Sequence, residues 1–480
     1  MRPVDIGPPI ARLQIVAADT ALLVGHSLAL RVIAWDSSGQ TVPSPHVLWS
    51  TAYPNWLPVD AHGVATADST NPGGDFPVYV TALVTGAVDT QVLHVARSGD
   101  LKWRLSLGYM PTLGGPAQGP DGTLYVLGSI DLAHDSATLF AVSPRGSVQW
   151  QHRLGHVNGA NYPIVGVDGS VFVAGQYVYA FDNVGSVRWA ITHRPTETLP
   201  NSPSGHSAAI AAGGKLFLAM AYDLLALDAV TGDTVWQGPR AADAGWLLPP
   251  SVSADGHTAY IKHVTDSLYA FNASDGGIRW GITDAEQNPY FGQGAALAGA
   301  RLIVPNAEQL QEADTTGSLH ATGPNLGFGM SEPAIAPYGL LFVQVPQNYG
   351  LYAFDPVDVE HWRMPGMRSD FSLYGGPALA SGGVLYIAAL DGFHAVQTSD
   401  TGGRALWRFP PSPSQQLRFV GAPLIGPDGT VYTFTSCDYG RDPGPCSDEF
   451  FAFWADLPPE PGSPWPMWRH DARRSGQADR

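Results

Sequence analysis

From Ala11 onward the chain alternates apolar and polar residues in short runs broken by turn residues. "ARLQIVAADTALLVGHSLALRVIAWDSSGQTV", with "SSGQ" as a turn, is followed by "VLWSTAYPNWLPVDAHGVATA", "FPVYVTALVTG" and "DTQVLHVA". Alternation of this kind buries one face of each strand, and several such strands in succession predict a small β-sandwich over residues 10–98. No cysteine staples this stretch, so Trp35, Trp49 and the aliphatic positions must hold it together. Asp60, ahead of "AHG", reads as a turn former bonding its own backbone.

Beyond residue 100 the pattern becomes periodic. A mostly apolar strand that reads like "LYAF" recurs as "LFAV" at 139, "VYAF" at 178, "LLAL" at 224, "LYAF" at 268, "LQEA" at 310, "LYAF" at 351, "FHAV" at 393 and "FFAF" at 450. Most copies follow a hairpin such as "GPDGTLYVLG" or "SADGHTAYIK" and precede a turn and a strand closing on tryptophan, as in "LDAVTGDTVW". Asp-Gly and Thr-Gly dipeptides stand where tight reversals need positive φ. Four short strands per unit, eight units long, predict an eight-bladed β-propeller over residues 101–480. The closing tryptophans are Trp150, Trp189, Trp236, Trp280, Trp362 and Trp407, with His320 in the fifth unit's place. They read as structural packing between neighbouring blades.

The eighth unit lacks this last strand, and "LKWRLSLG", with Trp103, is a spare one ahead of the first blade. Residues 101–108 are therefore expected to complete blade eight, because an unclosed propeller would leave strand edges bare. The tail 463–480, "SPWPMWRHDARRSG" and beyond, is expected to dock over the closing blades. Its Trp465 and Trp468 would bury apolar area, and its arginines would pair with the acidic surface.

Composition agrees with an all-β chain: 55 Gly and 41 Pro among 480 residues, and only 14% charged. The net charge of −17 argues against a nucleic-acid partner, which needs a basic face to displace counterions. It argues equally against an anionic membrane surface. No apolar run has the length of a spanning helix, and the opening "MRPVDIGPPIARL" shows no leader-like apolar core. Cys437 and Cys446 are expected to form a disulfide, which places the chain outside the cytoplasm.

Two resemblances sharpen these readings. The first region, through Gly25, Trp49, Ser50, Val59, Asp60, Gly63, Val64, Thr66 and Ala67, resembles the bacterial Ig-like domain of group 2. That resemblance implies a surface or secreted bacterial protein. "ALDAVTGDTVW" resembles the tryptophan-docking motif of pyrroloquinoline quinone (PQQ) propeller repeats through Ala226, Asp228, Thr231, Gly232 and Trp236, and "AFNASDGGIRW" is a looser copy through Ala270, Asn272, Gly276 and Trp280. The tail, through Trp465, Pro466, Met467, Arg469, His470, Asp471 and Gly476, resembles the "WPMFRHD…G" segment at one end of such propellers. The propeller family includes quinoprotein dehydrogenases and non-enzymatic scaffolds, so the fold does not choose the function.

Strand parity puts every tight turn on one face and every long loop on the other, where binding residues gather. Candidates at the channel mouth on the long-loop face are His206, Trp246, Tyr290, Glu332, Arg368, Asp370, Tyr374 and Arg418. The chain has no adjacent cysteine pair of the kind that covers the quinone in quinoproteins, and Glu332 and Asp370 are isolated candidates rather than a calcium-binding set. No nucleophile elbow, paired-histidine metal motif or phosphate loop is present. The expectation is a non-catalytic, extracytoplasmic binding or scaffold protein that takes a protein or carbohydrate partner, with no catalytic residues, no metal and no cofactor. A PQQ- and calcium-dependent oxidoreductase is the alternative.

Overall fold

The computed structural model describes residues 9–83, 85–108, 114–128, 137–154, 162–174, 177–192, 207–211, 213–219, 224–238, 247–263, 267–283, 294–305, 310–322, 329–345, 350–355, 359–367, 375–411, 417–437, 448–471 and 473–478. Every regular element among them is a β-strand. The chain divides into two compact units, Met1–Asp100 with Phe453–Asp456, and Leu101–Ala452 with Leu457–Arg480.

The first unit has two sheets. One runs Arg12–Ala17, Ser27–Trp35, Val64–Thr66; the other runs Ala21–Leu23, Val88–Ala96, Gly74–Ala82, Val47–Thr51. Alternate residues of these strands, including Leu13, Ile15, Leu30, Trp49, Val78, Val80, Leu93 and Val95, form one buried cluster, as period-two patterning requires. Asp60 caps its turn, its carboxylate accepting from the backbone N–H of His62 and Val64 at 2.8 Å each.

Among the described residues the second unit holds eight four-stranded sheets, a β-propeller. Blade one comprises Ala117–Gln118, Leu124–Gly128, Thr138–Val142 and Val148–Arg153 in that spatial order, and six blades repeat it with consecutive strands. First strands of most successive blades touch one another, which sets them innermost around the axis. Blade eight differs. Leu417–Ile425, Val431–Cys437 and Glu449–Phe453 are completed at the outer edge by Leu101–Ser106.

The same aromatic pair recurs around the ring. In seven blades an aromatic residue of the second strand lies 5.8–6.0 Å from the tryptophan of the fourth: Tyr125–Trp150, Phe172–Trp189, Phe217–Trp236, Tyr260–Trp280, Phe342–Trp362, Tyr386–Trp407 and Tyr432–Trp103. Six of these indoles donate their N–H, at 2.9–3.1 Å, to a backbone carbonyl in the next blade's outer turn. Trp236, for example, bonds Ala273 and lies against Gly276, where a Cβ would come within 2.6 Å of the ring. Gly276 has φ of 75°, so the turn and the indole both require glycine there. In the fifth blade His320 lies in the outer strand Leu319–Thr322, and its side chain is outside the described residues.

Trp103 makes the same contact from blade eight onto blade one, bonding Pro144 O at 2.9 Å and lying against Gly146. Its indole therefore joins the two ends of the propeller chain. Trp103→Ala is expected to lower unfolding free energy by about 3 kcal/mol, measured by urea denaturation. Trp103→Phe, which keeps the contacts with Tyr432 and Phe450 but loses the hydrogen bond, is expected to cost about 1 kcal/mol. An alanine variant as stable as the parent would refute this closure.

Candidate functional site

A strand at the inner edge of a blade has a row of backbone N–H and C=O groups with no neighbour on the axis side, and groups buried there must find partners. The C-terminal segment supplies them. Ser381 N donates to Pro458 O at 2.8 Å, Leu379 N to Pro466 O at 2.7 Å and Ile335 N to Trp465 O at 2.8 Å. Further along, Val165 N donates to Arg473 O at 3.0 Å and Val252 N to Gly476 O at 2.8 Å. The segment thus crosses the channel, visiting the innermost strands of blades seven, six, two and four. Trp465, Met467, Trp468, Arg469 and Arg474 are at most 1% exposed. Burying a large apolar side chain of this kind contributes roughly 2–3 kcal/mol.

Tight folding of the segment costs backbone strain. Arg469, His470 and Arg474 adopt φ of 58°, 76° and 58°, a region that non-glycine residues enter at a cost and only when their surroundings hold them there. Their surroundings here are ionic and specific. Glu332, fully buried, accepts from Trp465 Nε1 and from the Arg469 backbone N–H, both at 2.7 Å, and its second oxygen lies 3.8 Å from Arg469 Nη1. Burial pushes the Glu332 carboxyl above its ordinary range, against the opposing pull of the Arg469 charge and these hydrogen bonds. The Arg469 guanidinium also donates to Pro250 O and Ser251 Oγ in blade four.

Arg474 works at the ring seam. It donates to Pro116 O at 2.9 Å in blade one, to Ala422 O at 3.2 Å and Pro423 O at 3.0 Å in blade eight, and to Trp468 O at 2.6 Å within the segment. Desolvation pulls its pKa down to about 10, so it stays charged at neutral pH. Tyr162 meets Trp468 edge-to-face at 4.6 Å.

These contacts correct two sequence expectations. Glu332 is not a group at the channel mouth but an internal partner of the tail. The tail does reach the closing blades, through Arg474 to blades one and eight, but it also bonds inner strands of blades two, four and six, and its buried arginines do not meet the acidic surface. Arg469 and Arg474 are buried on backbone carbonyls and Glu332, and only Arg473 meets an aspartate outside that core, its own neighbour Asp471 at 2.8 Å. Of the other mouth candidates, Arg418 lies half-buried in the innermost strand of blade eight. His206, Trp246, Tyr290, Arg368, Asp370 and Tyr374 lie outside the described residues. So does Cys446, and the side chain of Cys437, at the end of its strand, is outside them too, so the expected disulfide lies outside the described residues. No group of three or more His, Cys, Asp or Glu placed to hold a metal occurs among the described residues. The Glu332–Arg469 pairing was missed because a buried carboxylate's partner depends on the path of a segment distant in sequence.

No curated protein matches the chain in sequence. The family profile described as outer membrane protein assembly factor BamB matches residues 88–247. Among solved structures, BamB from Moraxella catarrhalis is similar at 15% identity and a TM-score of 0.53, covering 74% of this chain and all of its own. A europium-containing methanol dehydrogenase is similar at 14% identity and 0.55, covering 74% of this chain and 93% of its own. The computationally designed Ika8 protein is similar at 10% identity and 0.53, covering 74% and 98%. At such identities the likeness is one of fold, the PQQ-like β-propeller.

Removing Arg474 would leave the Pro116, Ala422, Pro423 and Trp468 carbonyls without their donor. Arg474→Ala is expected to cost about 3–5 kcal/mol, read from urea unfolding. Arg473→Ala, which loses one partly exposed pair, is expected to cost less than about 1 kcal/mol. Equal effects for the two would contradict the assignment of Arg474 to the seam.

Proposed function

We propose that this chain is a non-catalytic binding or scaffold protein working outside the cytoplasm. In this reading an Ig-like β-sandwich precedes eight propeller blades, and a protein or glycan partner is engaged on the long-loop face around His206, Trp246, Tyr290, Arg368, Asp370, Tyr374 and Arg418. The observation that carries it is the use made of the channel. The chain's own Trp465, Met467 and Trp468 are buried against the inner strands, and the carboxylate of Glu332 is engaged by Trp465 and Arg469. Glu332 therefore does not fit a quinone–calcium centre. A propeller built this way keeps its binding capacity for its rim. The likeness to a protein described as an outer membrane assembly factor supports the extracytoplasmic, protein-binding part of the reading.

Thermal unfolding with and without PQQ and calcium tests the cofactor-free part. A specific ligand at a hundred times its dissociation constant would add about 2.7 kcal/mol of stability. The expected result is no shift and no dye-linked alcohol oxidation; a saturable shift with oxidation overturns the reading. For the binding part, a partner captured by the parent protein is expected to be lost on combining Trp246→Ala, Tyr290→Ala and Arg368→Ala. Retained capture would move the site off the long-loop face.

A further inference from the structure

A cleft of about 660 Å³ lies where blades eight and one meet. It is on the face of the tight Asp-Gly turns. Two of its walls are one sequence read twice: "GPDGT" at Gly119–Thr123 in blade one and again at Gly426–Thr430 in blade eight. Pro120, Pro427 and Pro144 give it apolar sides, and Asp121 and Asp428 stand exposed at its edge. The C-terminal segment adds Asp471 and Arg473.

The charges do not balance. Arg473 and Asp471 satisfy each other at 2.8 Å, and Asp471 also accepts from Ser475 N and Oγ. Asp428 accepts from Thr430 N at 3.1 Å and Thr430 Oγ1 at 2.8 Å, and its contact with a cation is a loose one, 3.8 Å to Lys102, whose ammonium bonds Thr430 Oγ1 at 3.0 Å. Asp121 caps Thr123 N at 3.0 Å, and among the described residues it has no cation within ion-pair distance. A further acceptor lines the same cleft. Gln118 is 5% exposed and donates its amide N–H to Gly122 O at 3.2 Å, while its Oε1 has no hydrogen-bond partner among the described residues. A buried carbonyl oxygen left this way is costly unless a donor arrives.

The group that suits two solvated carboxylates, an idle acceptor and proline walls carries a positive charge, N–H donors and an aliphatic stem. An anion would be repelled. A metal ion would need convergent ligands, and no set of three metal-binding side chains is placed for one among the described residues. We propose that the seam cleft receives a lysine or arginine side chain of a partner polypeptide. The cation lies between Asp121 and Asp428, and its methylene groups lie along Pro120, Pro144 and Pro427. This inference rests on the binding-protein reading and adds to it a second contact face and the partner's chemistry.

Saturation-transfer NMR on the full chain tests it with three blocked tripeptides, acetyl-Gly-Lys-Gly-amide, its arginine counterpart and its glutamine counterpart, at about 0.05 M salt. Transfer to the lysine and arginine side-chain methylenes is expected, with none to glutamine. Combining Asp121→Asn and Asp428→Asn keeps the acceptors that cap Thr123 and Thr430, and is expected to weaken binding at least about threefold. If that variant unfolds, raising salt to about 0.5 M on the parent protein must abolish the transfer. Equal transfer to the glutamine peptide, or binding untouched by both the variant and salt, overturns the proposal. A long-loop partner still captured when no lysine peptide binds would sink the cleft alone. Lysine binding that survives loss of that partner would sink the long-loop site alone.

Discussion

A ring of antiparallel sheets has to dispose of backbone edges at two radii. At the rim, the last blade lacks an outer strand unless the chain's two ends share one sheet. At the axis, the innermost strands have no neighbouring strand on one side, and buried N–H and C=O groups there need partners. Both problems are solved here by segments at the ends of the propeller. Leu101–Ser106 completes blade eight, and the C-terminal segment bonds the inner edges of blades seven, six, two and four. The free energy of a missing buried hydrogen bond, about 1–3 kcal/mol per group, makes this an obligation and not an ornament.

That obligation explains the oddities of the tail. A segment touching inner strands on several sides of one axis must turn sharply, and left-handed backbone at Arg469, His470 and Arg474 makes the turns. Arginine suits the positions because its planar, five-donor head can reach carbonyls in different blades at once, as Arg474 does with Pro116, Ala422 and Pro423. Two buried guanidinium groups near one another would repel. Glu332 offsets part of that charge from the one place where its carboxylate can also accept the Trp465 and Arg469 N–H groups. Asp471, partly exposed beside the segment, also offsets the Arg474 charge.

Much of this was legible in the sequence because it is local. "LYAF"-like strands, Asp-Gly and Thr-Gly turns and the closing tryptophans are each fixed by neighbours within one repeat, so period and turn chemistry read them directly. The spare strand at Trp103 was legible by subtraction, since blade eight has three strands and needs four. The tail's destination was not, because "SPWPMWRHDARRSG" carries the aromatic and basic residues of a docking segment but nothing that distinguishes a rim from an axis. Glu332 illustrates the same limit: its position just before an innermost strand was readable, whereas its partner comes from a segment more than a hundred residues away. The seam cleft escaped notice for another reason. Its two "GPDGT" turns lie at opposite ends of the repeat array and become neighbours only once the ring is closed.

Closure and recognition therefore meet at one place. Trp103 bridges blades eight and one at the rim, Arg474 bridges them at the axis, and Asp121 and Asp428 line one cleft at the same seam on the tight-turn surface. A cation held by both carboxylates has its full site only in the closed ring, because opening the seam separates the two turns that form it. By mass action such a ligand favours closure in proportion to its affinity for that state alone. The seam, packed by Leu124, Val126, Phe140 and Val142 of blade one against Val420, Leu424, Tyr432 and Phe450 of blade eight and bridged by Trp103 and Arg474, is thus the part of the propeller where binding a partner and holding the fold together lie side by side.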